Sequence, residues 1–212
     1  MFSKGTSSDH NKMARIKATY DEKTGELDWQ APEDVTTAFF DNLLPKAYTM
    51  FMASGRMIQS TMTKVGSHYR VYGALLVKDS SSNYKNYVVY SDDFGVNWSI
   101  LGNTDCITSA DEAKVEELPN GDIVVSSRTA GGRIFNLFNF SDKEVATGEW
   151  KNQTSYTFAG SNTCNGELLF YEGLVDANGT KYNVMLQSLP TGEKSDGFLG
   201  FGAKSGREKV SV

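Results

Sequence analysis

The stretch Ser91-Asp92-Asp93-Phe94-Gly95-Val96-Asn97-Trp98 constrains this chain more than any other feature. It has the form Ser-x-Asp-x-Gly-x-x-Trp and follows an apolar run ending at Tyr90. A hydroxyl and a carboxylate two residues apart satisfy turn amides, Gly95 accepts a positive φ, and Trp98 offers a large ring to a neighbouring hairpin. This is the Asp-box type of β-hairpin turn. Looser echoes run from Tyr20-Asp21 through Gly25 to Trp29, and from Ser141-Asp142-Lys143 through Gly148 to Trp150. Each of the three tryptophans thus closes an Asp…Gly…Trp turn, and all three read as core residues.

The surrounding sequence supports an all-β chain. Runs such as Tyr69 to Tyr72, Tyr87 to Tyr90, Ile123 to Ser126, Ile134 to Phe140, Glu167 to Tyr171 and Tyr182 to Leu186 are rich in β-branched and aromatic residues. Several alternate with a period of two, and Pro119-Asn120-Gly121-Asp122 and Ala177-Asn178-Gly179-Thr180 are hairpin-turn sequences. Only Glu33 to Leu44 has a helical pattern, weakened by Thr36-Thr37 and Phe39-Phe40.

Tryptophans at 29, 98 and 150 recur at intervals on the order of the ~50 residues of a four-stranded propeller blade. A chain of 212 residues then supplies about four blades, as one domain spanning 1–212. Twelve Phe, ten Tyr and three Trp provide core material that a disordered chain lacks. The net charge of −5 gives no reason to expect a nucleic-acid partner. No run approaches the roughly 20 apolar residues of a membrane-spanning helix, and the first ten residues hold no apolar signal region. Cys106 and Cys164 read as buried thiols, and the two histidines stand too far apart for a metal site, so no metal or cofactor is expected.

The candidate chemistry lies between Asp111 and Arg128. A strand containing Glu112 and Val115 leads into the Pro-Asn-Gly turn, and the return strand ends at Arg128, so the hairpin brings one carboxylate and one guanidinium to the same end of a blade. The alternative for each is a solvated strand-end charge. Glu116 and Glu117 fall on opposite faces by strand alternation and read as solvated turn support.

These pieces resemble the sialidases, specifically the bacterial exo-α-sialidase glycoside hydrolases. The resemblance runs from about Met50 to Gln187. It rests on Ser54-Gly55-Arg56-Met57-Ile58-Gln59-Ser60, the turn at Ser91 to Trp98, Asp111 to Leu118, Ser127-Arg128, Gly132 to Asn136, and Thr163-Cys164-Asn165-Gly166-Glu167. It implies a six-bladed β-propeller that removes terminal sialic acid from glycans or glycolipids with retention of configuration. In that family three arginines grip the substrate carboxylate, a glutamate assists a tyrosine nucleophile, and an aspartate is the acid/base. A planar guanidinium offers paired donors to a carboxylate, and retention follows from a covalent intermediate. By the resemblance Glu112 is the tyrosine-assisting glutamate and Arg128 the second arginine. Asn165 is a contact to sugar hydroxyls, with ordinary turn chemistry as its alternative. Arg56, Gln59 and Arg133 fall at the cavity rim, with surface ion pairing the alternative for both arginines.

The chain also departs from the pattern. The early acid/base aspartate and first arginine have no recognisable counterpart. The third arginine is missing after Leu189-Pro190-Thr191-Gly192, as is the blade carrying the nucleophile. The expectation is therefore an incomplete sialidase propeller, either part of a hydrolase or a non-catalytic sialoside-binding or structural piece.

Overall fold

The computed structural model describes residues 12–53, 55–129, 132–151, 153–157 and 165–188. The chain begins with β1 (Ala14–Arg15), β2 (Ala18–Asp21), β3 (Glu26–Trp29) and β4 (Glu33–Asp34). β2 and β3 form a hairpin, and β1 and β4 pair at its base. Residues 16–34 are all exposed, so Trp29, expected in the core, is 64% accessible. No sheet of the described residues covers this hairpin, and its Asp…Gly turn serves chain reversal alone.

The helix expected over 33–44 is confined to residues 36–43, with Ala38–Leu43 wound as a π-helical turn. Adjacent Phe39 and Phe40 are both buried there.

The first large sheet contains β5 (Ala47–Met52), β6 (Ile58–Val65), β7 (His68–Asp79), β8 (Tyr84–Ser91), β9 (Ser99–Ile100) and β10 (Ile107–Thr108). β5 and β6 share one edge of β7, and β9 and β10 share the outer edge of β8, giving four antiparallel rungs. The second sheet repeats this plan with β11 (Ala113–Glu117), β12 (Ile123–Thr129), β13 (Gly132–Asp142), and β14 (Thr147–Trp150) and β15 (Thr154–Thr157) on the outer rung. A third, two-stranded sheet pairs β16 (Glu167–Val175) with β17 (Lys181–Ser188). The chain is all-β, with no closed ring among the described residues.

Strand alternation divides the apolar residues between two cores. Leu75, Val77 and Val89 turn one face of the first sheet toward Phe39, Phe40 and Met50. Tyr72, Ala74 and Val88 turn the other toward Ala113, Val115, Ile123, Val125 and Phe138 of the second sheet. Trp98 joins the first cluster, its ring 5.9 Å from Phe39, and Trp150 the second, 5.0 Å from Phe138.

The expected hairpin turns form. Asp93 accepts from the amides of Val96 (3.1 Å) and Asn97 (2.8 Å), and Ser91 Oγ accepts from the Gly95 amide (2.8 Å). Gly95 has φ +79° with Trp98 folded against it, a backbone conformation that disfavours any side chain. The same carboxylate-to-amide device recurs at Asp21, Asp79, Asp142 and Asp176. Cys106 is a buried free thiol, whereas Cys164 lies outside the described residues.

Candidate functional site

Alternation along β11, β12 and β13 places Glu112, Lys114 and Glu116, Arg128 and Ser126, and Arg133 on one face of the second sheet. That face is opposite the one bearing the apolar core. At one end of it Glu112, Arg128 and Arg133 form a row across three strands. The Arg128 amide donates to the Glu112 carbonyl (3.1 Å), and Arg128 stands directly opposite Arg133. Arg128 Nε lies 3.3 Å from Glu112 Oε2, and its Nη2 donates to Asp111 Oδ2.

Several groups hold this row in place. Asp111 Oδ1 accepts from the Glu112 amide (2.9 Å), and the Asp111 amide donates to the Arg128 carbonyl (2.8 Å). Fully buried Asn86, on β8, donates through Nδ2 to the Asp111 carbonyl (2.7 Å) and to Ser127 Oγ (3.0 Å). The peptides bearing Glu112 and Arg128 are thus tied to the first sheet. Ser109, just upstream, has φ +61°, a strained conformation for a residue other than glycine.

Arg133 is completely buried, which moves it from the expected cavity rim to the interior between the second and third sheets. Its Nε donates to Ser126 Oγ (2.8 Å) and its Nη2 to the Ser126 carbonyl (2.6 Å). Ser126 Oγ donates in turn to Gln187 Oε1 (2.6 Å) on β17, and Gln187 Nε2 donates to the Glu167 carbonyl (3.0 Å). Burial first, and then the neighbouring Arg128, push the Arg133 guanidinium down to about 10. It stays charged at neutral pH. Burial likewise lowers the Lys114 ammonium.

The other candidates are distributed around this face. Arg56 Nη2 donates to Glu116 Oε2, an ion pair between a half-exposed side chain and a buried one. Burial raises the Glu116 carboxyl against the pull of Arg56. Glu117, on the opposite face, accepts from Ser60 Oγ, the Thr61 amide (2.7 Å) and Thr61 Oγ1 (3.1 Å). The alternation of the two glutamates is as expected, but both are buried rather than solvated, because neighbouring polar groups replace water. Gln59 is exposed on β6 and makes no hydrogen bond to the row. Asn165 is half-buried two residues ahead of Glu167.

Sequence reasoning missed Asp111, Asn86, Lys114, Glu167 and Gln187. Period-two alternation alone would have grouped Lys114 with Glu112. Asn86, Glu167 and Gln187 arrive through pairings distant in the chain and leave no local signal. Among the described residues no cluster of three or more His, Cys, Asp or Glu could hold a metal, and no helix is long and apolar enough to cross a membrane.

No family model matches the sequence, and no curated relative does. Solved structures do match. The Hadza microbial sialidase Hz136 superimposes with a TM-score of 0.61 at 18% identity over 84% of this chain. Trypanosoma rangeli sialidase in complex with the inhibitor DANA gives 0.57 at 18% identity, and the same enzyme with 2,3-difluorosialic acid as a covalent intermediate gives 0.52 at 16%. The chain spans 32%, 28% and 27% of the lengths of the chains in those three structures. Its fold is sialidase-like.

Proposed function

We infer that this chain carries part of the site of a retaining exo-α-sialidase acting on sialylated glycans or glycolipids. The carrying observation is the ion-paired Glu112 and Arg128 at one end of a four-rung sheet in a sialidase-like fold. On this reading the two four-rung sheets are successive blades of an incomplete six-bladed propeller, the third sheet begins another, and the whole forms one partial domain.

Arg128 has the chemistry to grip the carboxylate of sialic acid, since a guanidinium presents a fork of donors to two oxygens. Glu112, beside it, draws the proton from a tyrosine nucleophile as the phenol attacks the anomeric carbon, and a covalent glycosyl intermediate gives retention. Arg56 and Asn165 supply contacts to the sugar's polar groups, Gln59 a contact from the adjoining exposed strand, and Arg133 cationic support from behind Arg128.

A specific observation favours a second reading. Asp111 and Glu112 both hold Arg128, and the family's acid/base aspartate, its other two arginines and its nucleophilic tyrosine are not recognisable in this sequence. A non-catalytic sialoside-binding module fits those facts.

One pair of measurements separates the readings. N-acetylneuraminic acid is titrated into the chain by NMR, and a fluorogenic sialoside is offered as substrate. Saturable binding lost in Arg128→Ala is the expected result of both readings. Turnover abolished by Glu112→Gln supports the hydrolase, whereas binding without turnover supports the module. A folded chain that neither binds nor hydrolyses overturns both.

A further inference from the structure

We propose that Asn178 is a modification site, at which the side-chain amide is lost spontaneously to give isoaspartate or aspartate, while the fold protects the same dipeptide at Asn120. The site stands independently of the hydrolase reading.

The sequence carries Asn-Gly pairs at Asn120, Asn165 and Asn178. Glycine has no side chain to hinder its own amide nitrogen, so an asparagine before it closes most readily onto the backbone. The Gly179 amide nitrogen gives up its proton and bonds to Cγ of Asn178, the Cγ–Nδ2 bond breaks, and ammonia leaves with that proton. Water then opens the cyclic imide at either carbonyl, giving isoaspartate or aspartate. Water is the only other reactant.

Two of these pairs sit in the same kind of turn. Gly121 and Gly179 both have φ +82°, and their amides donate to the carbonyls of Leu118 (2.7 Å) and Asp176 (3.0 Å). Either amide must leave that bond before it can attack. With the local geometry matched, the surroundings decide which one does. Asn120 is held at both ends of its side-chain amide, Nδ2 donating to Asp122 Oδ2 (2.8 Å) and Oδ1 accepting from the Asp122 amide (3.1 Å). Asp122 is buried and also accepts from Asn139 Nδ2 (2.6 Å) and the Phe140 amide (3.1 Å) on β13. Lys143 and Met62 pack over buried Gly121.

Asn178 has none of these restraints. Its side chain makes no hydrogen bond among the described residues, and both it and Gly179 are exposed. Nothing lies within 4 Å of where a side chain on Gly179 would begin. Releasing the Gly179 amide is a local event at the tip of a two-stranded hairpin, whereas releasing Gly121 disturbs the buried strands β11 and β12. At the third pair, the backbone of Gly166 is pressed against the Ser188 carbonyl. Isoaspartate would add one backbone carbon between the amides of Asn178 and Thr180, which Asp176 Oδ1 accepts from at 2.8 and 2.9 Å, and would set a new carboxylate beside it. The reaction therefore loosens the tip of the third sheet.

The test follows the full chain by peptide mapping with tandem mass spectrometry during incubation in mildly alkaline buffer, folded and in urea. In the folded chain Asn178 is expected to convert about tenfold or more faster than Asn120. In urea the two rates should converge, since the fold no longer separates them. Asn178→Gln, which must close a larger and slower ring, should remove the early mass gain. A folded chain in which Asn178 stays intact, or in which Asn120 converts as fast, overturns the proposal. So does a difference between the two sites that persists unchanged in urea, because neighbouring residues and not the fold would then account for it.

Discussion

Arg70 shows how much one buried side chain organises here. It is 1% exposed, and its Nε and Nη2 donate to the two carboxylate oxygens of Asp92 at 2.7 and 2.9 Å. Nη1 and Nη2 also donate to the carbonyls of Lys143 and Glu144, at 2.5 and 2.8 Å, and the guanidinium lies 4.6 Å over the Tyr90 ring. One residue of the first sheet thus holds both its own hairpin turn and a turn of the second sheet. Replacing it by methionine keeps the apolar stem but strands two carbonyls and part of a carboxylate, at a cost of about 2–3 kcal/mol. The urea midpoint of Arg70→Met should fall accordingly with an unchanged denaturant slope, and Arg70→Lys should not restore it, since an ammonium lacks the planar fork. None of this was legible in the sequence, where Arg70 sits in an ordinary apolar run. Buried charges are the least legible class, because whether a charged residue is exposed depends on partners supplied by distant strands. Arg133, Glu116 and Glu117 were misplaced for the same reason.

Elements were far more legible than partners. β-branched runs and Asn-Gly turns marked β8, β12, β13 and β16, because strand and turn preferences are local. The Ser91 to Trp98 turn was readable to its hydrogen bonds. Trp29 failed because a local motif encodes a chain reversal, while burial of its ring depends on what packs beside it. The turn also sets a pH response. Burial opposes ionisation of Asp93, but bonds from the Asn97 amide and side chain and from Ser91 prevail, so its carboxyl lies below the ordinary 3.8. A depressed acid stabilises the fold above its unfolded value, and that contribution is lost as pH falls through the folded value. Below about pH 4 the wild-type unfolding midpoint should therefore decline, and Asp93→Asn should reduce that decline while starting from a lower midpoint at neutral pH. An unchanged acid slope in Asp93→Asn would remove this turn as a contributor.

Across the whole molecule the two interfaces of the second sheet differ in kind. Toward the first sheet it presents Val115, Ile123, Val125 and Phe138, a continuous apolar layer reinforced by Arg70. Toward the third sheet it presents Lys114, Glu116, Ser126 and Arg133, with Leu168 the buried apolar side chain received from β16. Apolar burial contributes roughly 25 cal/mol per Å², whereas a buried polar layer mainly exchanges water contacts for protein contacts. The third sheet is therefore held by directional bonds, such as Ser126 to Gln187, more than by area. Its outer half adds little, because Tyr171, Leu174, Val175 and Tyr182 are exposed. Local opening should begin there. In native-state hydrogen exchange, amides from Tyr171 to Asn183 are expected to exchange about tenfold or more faster than those of β7 and β12. Ser126→Ala, which removes the hydroxyl linking Arg133 to Gln187, should speed exchange at Leu168 and Leu186 while leaving β7 unchanged. Equal acceleration in all sheets would show instead that the chain opens as one unit, with the polar layer as firmly coupled as the apolar one.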